Sequence, residues 1–378
     1  MKIIFTVHTY YPNKDGVQFV TEYLAEGLVK KGHDVLVVTR TLPNVVESET
    51  YHGVKIRRVP VYTKYAIYHG DKKKYQDYII DLCKNADTIV NVCTQNALTD
   101  YLLPVLDKID CRKILHLHGI YDSHWKKSDF ASIKSFAYKI WRNIRWGYLY
   151  RTTDFSKYNT VLQLHQFDYG YQYFEKKYGI RSTVLENAAD SRFSVETPAR
   201  EGDKYCVCVA NFTPRKNQGR IIEAFYKASV PGVELHLIGS SRTKYAETLE
   251  KIIGDYDKKY GTHNVRFIYG QSRKETISEV RNASLYLLGS TWEAFSISLI
   301  ESMASSVPFI STDVGVARFL PGGTVVRDAD EMAYWIRLLF ENENIRSDMG
   351  LAGHQYYSDH LTIEDKVSEL EAVLEGEK

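Results

Sequence analysis

The sequence predicts two α/β domains, each a parallel sheet wound with helices on both faces. Three observations lead there. Short apolar runs alternate with helical stretches from the first residues onward. The pattern breaks at a polar, apolar-poor segment, "SVETPAREGDK" (194–204), and then restarts. At 378 residues the chain is longer than one ordinary core organises.

The elements follow in order. "KIIFTV" is a buried-strand run and "HTYYPNKDG" a loop. Val20, Leu24 and Leu28, at four-residue spacing, mark the buried stripe of a helix that stops at Gly32 with lysines in its last turn. "DVLVVT" is the next strand, and "DTIVNVC", "KILHLHG", "NTVLQLH" and "RSTVLEN" supply further ones. Beyond the break come "YCVCVANF", the helix "NQGRIIEAFYKA", "VELHLIG", a charged helix near 243–260, "NVRFIYG", "SLYLLG", a helix near 297–305 and "PFISTD". The expected domains are therefore 1–197 and 198–378, with the last helix a candidate to pack back on the first domain. The halves share an architecture but no sequence repeat. Two doubly wound sheets facing across a cleft would bring the strand C-termini of both to the seam, where such folds bind ligands.

Composition narrows the function. The chain is 44% hydrophobic and 25% charged, as folded domains are. Its net charge of +2 argues against a nucleic-acid partner held by overall charge. The 29 tyrosines suit sugar-stacking or interfacial surfaces. Five scattered cysteines form no metal or disulfide framework. Cys206 and Cys208 alternate on one strand, so they share a sheet face and read as small buried hydrophobes. The opening apolar run is five residues long, too short for a secretory signal. No segment approaches the roughly 18–20 apolar residues that span a bilayer. A cytoplasmic protein is expected.

In parallel sheets function collects in the loops after the strands. His8 and "YPNKDG" follow the first strand, and His118 and Gly119 follow "KILHL". Lys216 lies after "YCVCVANF", Gly239 after "VELHLI" and Glu293 after "SLYLLG". Each has an ordinary explanation: His8 lacks a sequence partner and reads as structural, loop lysines are usually solvated, and Gly16 and Gly239 suit turns. The convergence of five separate strand ends is the stronger observation. Within "GSTWEAFSISLIE", Glu293 precedes a helix that should begin near Phe295–Ile297. Glu301 should then lie one turn beyond Ile297, about 6 Å along the axis. The free N–H groups of that helix start suit a phosphate, and a carboxylate accepts from two adjacent hydroxyls. With Lys216 neutralising a diphosphate, the arrangement matches a nucleotide sugar. Asp328 and Asp330 in "RDADEM" superficially match a metal-binding pair, but Asp328 is better placed as a helix N-cap; no metal site is expected.

Several segments together resemble a family 4 retaining glycosyltransferase of the GT-B fold, two Rossmann-like domains. They are "YYPNKDGVQFVTEYLAEGLVKKGHDVLVVT", "HLHG", "VLENAADSRF", "VANFTPRKNQ", "EAFSISLIE" and "SMASSVPFISTDVG". The resemblance implies an acceptor-binding first domain and a donor-binding second domain. It assigns Glu301 to the ribose hydroxyls and Glu293 to those of the transferred sugar. Lys216 would stabilise the leaving diphosphate, and His118 would sit near the sugar and the reacting centre. Amides around Phe295, Ser296 and Ile297 would contact the donor, with Gly239 lining the donor site. Gly16 would let the first loop approach the donor or acceptor. The family needs no cofactor and no bound metal, and front-face displacement is the implied mechanism. This chain departs from the family at Asn211, where an arginine usually stands. Arg215 is the candidate substitute, though neighbouring loop side chains need not point the same way, and the motif glycines are Ala294 and Ser296 here.

The implied function is transfer of a hexosyl unit, with retention, from a nucleotide sugar to a glycan or lipid-linked acceptor. UDP is favoured by family frequency, and the setting would be polysaccharide or glycolipid biosynthesis. The alternative is a non-catalytic GT-B subunit that binds a partner enzyme or glycan. A dinucleotide-dependent dehydrogenase is disfavoured because no GxGxxG follows the first strand. Residues 126–151, "KKSDFASIKSFAYKIWRNIRWGYLYR", hold seven basic residues against one acid, interleaved with aromatics. Such a segment suits an anionic membrane surface, with the protein peripheral on the inner face; the alternative is a surface helix whose aromatics pack on the sheet.

Overall fold

The structure, a computed structural model, describes residues 1–13, 15–125, 127–196 and 204–376, without the side chains of 127 and 128. The chain forms two compact units, Met1–Glu186 with Lys366–Lys378, and Asn187–Asp365. The boundary expected at 197/198 lies outside the described residues. The division falls earlier because the segment after Glu186 is bonded into the second unit. Asn187 Nδ2 donates to Phe295 O (3.0 Å), Val195 N to Ala304 O (2.9 Å) and Ser305 Oγ to Phe193 O (3.0 Å).

The first unit runs β1 (Lys2–Thr6), α1 (Gly16–Lys30), β2 (Asp34–Arg40), β3 (Ser48–Tyr51), β4 (Val54–Val59), β5 (Tyr62–Lys64) and β6 (Ile67–His69). It continues with α2 (Lys72–Cys83), β7 (Thr88–Val92), α3 (Ala97–Asp100), β8 (Arg112–His116), α4 (Ile133–Thr152), β9 (Thr160–Gln163), α5 (Tyr169–Tyr178) and β10 (Thr183–Val184). Its sheet has the order β10-β9-β8-β7-β1-β2-β4-β3, parallel except for the β3–β4 pair. Ile3, Ile4 and Phe5 of β1 are wholly buried, as a central strand covered on both faces requires. On α1, Val20, Leu24 and Leu28 are buried as their spacing predicts, and Asp15 caps the helix by accepting from Gln18 N (2.9 Å).

The second unit runs β11 (Lys204–Val209), α6 (Gln218–Ala228), β12 (Val233–Gly239), α7 (Lys244–Tyr260), β13 (Val265–Tyr269), α8 (Arg273–Asn282) and β14 (Leu285–Leu288). Then follow α9 (Ile297–Ala304), β15 (Phe309–Thr312), β16 (Gly323–Val326), α10 (Ala329–Glu341) and α11 (Glu343–His360). Its all-parallel order, β13-β12-β11-β14-β15-β16, is the 3-2-1-4-5-6 winding of dinucleotide-type folds, with the reversal between β11 and β14. Cys206, Cys208, Leu235, Leu237, Leu285 and Leu287 share one face and are buried with Ile221, Ile222 and Phe225 of α6 and Met332 and Ile336 of α10. The two cysteines are the small core hydrophobes expected. Asp328 caps α10, accepting from Asp330 N and Glu331 N (3.0 Å each).

A final helix, α12 (Ile363–Glu375), contributes Val367, Leu370 and Val373 to the buried set. Its Glu371 accepts from Lys31 Nζ (2.6 Å) and pairs with His33 Nε2 (2.6 Å), at the end of α1. The β3–β4 hairpin, the β5–β6 pair and β16 were not foreseen from the sequence. Among the described residues no helix is long and apolar enough to cross a membrane.

Candidate functional site

An open parallel sheet leaves a crevice at the carboxyl ends of its strands where the winding reverses. In the second unit that point lies between the loops after β11 and β14. The two loops are tied directly, Thr291 N donating to Arg215 O at 2.8 Å. From the first loop Lys216 Nζ donates to Glu293 Oε1 of the second at 2.6 Å, and Ser290 Oγ donates to the same oxygen at 2.7 Å. Only 18% of the lysine side chain and 11% of the glutamate are exposed. A largely buried ion pair therefore sits where the fold builds its crevice.

Helix α9 starts at Ile297 with Ser296 at its N-cap. The Ser296 hydroxyl bonds Ser298 Oγ (3.0 Å) and caps no backbone N–H. No acid lies in the first turn, so the positive end of the helix is not offset by a side chain of its own. Phe295 is buried and its carbonyl accepts from Asn187. Gly315, after β15, takes a φ of +55°, and a Cβ there would lie 2.2 Å from Ala294 O, so the loops after β14 and β15 close on each other only with glycine at this position.

Glu301 lies one turn into α9 with 5% of its side chain exposed, and Arg273 Nη2 donates to its Oε1 at 2.7 Å. Burial pushes its carboxyl above the usual range; Arg273 opposes that shift and Asp190 adds to it. This acid is not the wet helix-face residue that its type ordinarily suggests.

The remaining donor-side candidates are arranged less directly. Asn211 Oδ1 accepts from Ser240 N (3.2 Å), so the residue in the arginine's usual place braces the loops after β11 and β12. Gly239 ends β12 with its Cα against Phe212; a Cβ would fall 2.6 Å from that ring. Arg215 and Lys216 diverge: the Arg215 guanidinium lies 5.6 Å from the Trp292 ring centroid, whereas Lys216 reaches Glu293. Arg273 was missed in the sequence. Its partner lies 28 positions away, and no local pattern marks it.

On the first unit Gly16 is the first residue of α1, exposed behind its Asp15 cap. His118 follows β8, its ring 4.4 Å from His116 and its Nε2 buried without a hydrogen-bond partner. Burial pushes its pKa down to about 4, so the imidazole is neutral at neutral pH. His8 is likewise pushed to about 4, by burial first and then by Arg40.

The basic segment resolves into two faces of α4. Trp146, Leu149 and Tyr150 are buried, while Ile133, Phe136, Trp141, Ile144 and Tyr148 are exposed. Lys139 is buried, donating to Asp122 O (2.9 Å), and Arg145 stacks on Tyr68 at 4.4 Å. Lys126 lies outside the described residues.

Two doubly wound parallel-sheet units, the second with a charged switch point, are the architecture of GT-B proteins. A family model described as Glycosyl transferases group 1 matches residues 190–355, and one described as Glycosyltransferase Family 4 matches residues 14–190. The chain belongs to this glycosyltransferase family. Among solved structures it is similar to sucrose-phosphate synthase from Thermosynechococcus elongatus, at 15% identity and TM-score 0.77, covering 99% of this chain and 98% of that one. HepE from Anabaena, solved in complex with UDP and glucose, matches at 15% identity and TM-score 0.70 over 100% of both chains. WaaG, a glycosyltransferase involved in lipopolysaccharide biosynthesis, matches at 18% identity and TM-score 0.70 over 98% and 99%. Comparison with curated protein sequences finds no match.

Proposed function

We propose that the protein is a retaining, metal-independent glycosyltransferase that moves a sugar from a UDP-sugar to a glycan or lipid-linked acceptor. The observation that carries the reading is the Lys216–Glu293 pair at the β11/β14 reversal, with Glu301 buried one turn into α9. Lys216 takes the leaving diphosphate, and Glu293 takes hydroxyls of the transferred sugar. The amides of Phe295, Ser296 and Ile297 face the phosphates, and Glu301 accepts from the ribose. Asn211, Arg215 and Gly239 shape the donor loops. The resemblance assigns His118 to the sugar and Gly16 to the first loop. In the reaction the bond between the anomeric carbon and the diphosphate oxygen breaks. The acceptor oxygen bonds to that carbon from the same face, and its proton passes to the departing phosphate. The likeness to HepE, which was solved with UDP bound, supports UDP as the carrier.

The test is a thermal-shift screen of nucleotide sugars, followed by hydrolysis and transfer assays on those that bind. A stabilising UDP-sugar that is turned over is the expected result. The alternative, a non-catalytic subunit, draws on the loss of a cation at Asn211; a chain that binds no nucleotide sugar at all would favour it.

The exposed face of α4 supports a peripheral site at an anionic membrane, on its inner side, near a lipid-linked acceptor. Flotation with vesicles rich in anionic lipid should show binding at low salt that falls as salt screens the basic residues. No binding to such vesicles at low salt removes this part of the reading.

A further inference from the structure

We propose that Arg273 is a positioning residue for Glu301, keeping the buried carboxylate ionised and aimed so that it accepts from both hydroxyls of a ribose. The inference rests on the reading of Glu301 as the ribose acid. Arg273 is the first residue of α8, behind a full capping box in which Ser272 and Glu275 bond reciprocally, so its backbone is fixed. Its guanidinium carbon lies 4.7 Å from the centroid of the Phe193 ring. Phe193 is itself wholly buried, and its carbonyl accepts from Ser305 Oγ, which makes the platform rigid. From there Nη2 reaches Glu301 Oε1 at 2.7 Å.

The chemistry requires such a partner. A carboxyl group with 5% of its side chain exposed favours the protonated form unless a cation offsets the lost hydration. The groups facing Glu301 are Arg273 from α8, Asp190 from the segment entering the unit, and Tyr286 from β14. Asp190 raises the carboxyl further and is bonded to Arg192 (Arg192 Nη2 to Oδ2, 2.5 Å). Among the described residues Arg273 is the cation bonded to Glu301. Protonated, Glu301 would have to donate from one oxygen; ionised, it keeps acceptor sites for two hydroxyls beside the Arg273 bond. Arg273 remains 38% exposed, so water can solvate it if a ligand shifts the pair.

The test follows UDP affinity against pH by calorimetry for the full chain and for Arg273→Gln, Arg273→Lys and Glu301→Gln, with inorganic diphosphate as a second probe. Arg273→Gln should bind UDP about tenfold more weakly than wild type on the acid side of the profile and recover toward it as rising pH ionises the carboxyl unaided. Arg273→Lys should stay close to wild type, and diphosphate affinity should not change. Loss of UDP affinity equal at every pH, a matching loss of diphosphate affinity, or no loss at any pH overturns the proposal. Infrared absorption of protonated carboxyl groups, read without nucleotide, gives an independent measure. A band should appear in Arg273→Gln, at the pH where its UDP affinity is reduced, that is absent from wild type and from the Arg273→Gln/Glu301→Gln double variant. Its absence from Arg273→Gln also overturns the proposal. Wild-type UDP affinity in Glu301→Gln would instead defeat the ribose assignment, and the infrared result alone would then decide the role of Arg273.

Discussion

Glu301→Ala should bind UDP about thirtyfold more weakly than wild type, or worse, while binding inorganic diphosphate equally well. Two hydrogen bonds from ribose hydroxyls to a carboxylate contribute about 1.5–3 kcal/mol each. Part of that is offset because Glu301 already holds Arg273. A net loss of about 2 kcal/mol corresponds to about thirtyfold in Kd. Folding should survive the change. The variant loses a buried charge that was costly to desolvate and releases an arginine that is 38% exposed and that water can reach, so the loss of stability should stay below the roughly 3–5 kcal/mol of breaking a fully buried pair. Diphosphate binding separates the two explanations for a weaker ligand: loss of the ribose contact spares it, whereas collapse of the helix start would not. Equal UDP affinity in the variant and the wild type would end the assignment.

Lys216→Gln should lower turnover of the nucleotide sugar by about a hundredfold to a thousandfold, the usual consequence of removing one group aimed at charge that develops in the transition state. The effect should fall on kcat more than on KM, because the diphosphate gains charge as it leaves. Glutamine removes the charge and is one bond shorter, but Thr291 N still donates to Arg215 O, so the loops after β11 and β14 stay tied. Glu293→Ala should mainly damage turnover and discrimination among sugars. Turnover in Lys216→Gln within about threefold of wild type would mean that another group carries the leaving charge, with Arg215 the first to examine.

The strands that shape the crevice were legible because both of their faces are buried, and they read as unbroken apolar runs. All four residues of "LYLL" in β14 are buried. The β3–β4 hairpin escaped because β3 alternates half-buried and exposed positions. Its signal was present in the alternation of "VKIRRV" and in the two-residue turn His52–Gly53, with both φ values positive at 46° and 83°. Strand β16 is only partly buried and carries a weak pattern. Within the site, Lys216 and Glu293 could be picked out because each follows a strand. Arg273 could not be, since "RKETISEVRN" reads as an ordinary solvated helix start and only the fold brings it to Glu301. The sequence also could not tell that Arg215 and Lys216 point to different partners, or that Lys139 in the basic segment is buried under Tyr121 rather than presented to a surface.

The return of α12 to the first unit has a consequence for biosynthesis. Lys31 and Glu371 are 340 positions apart. On the ribosome, the amino-terminal unit must wait, one wall missing and its apolar strip uncovered, until the whole intervening unit has been synthesised. Shortening the chain before Lys366 would thus injure the half of the molecule made first.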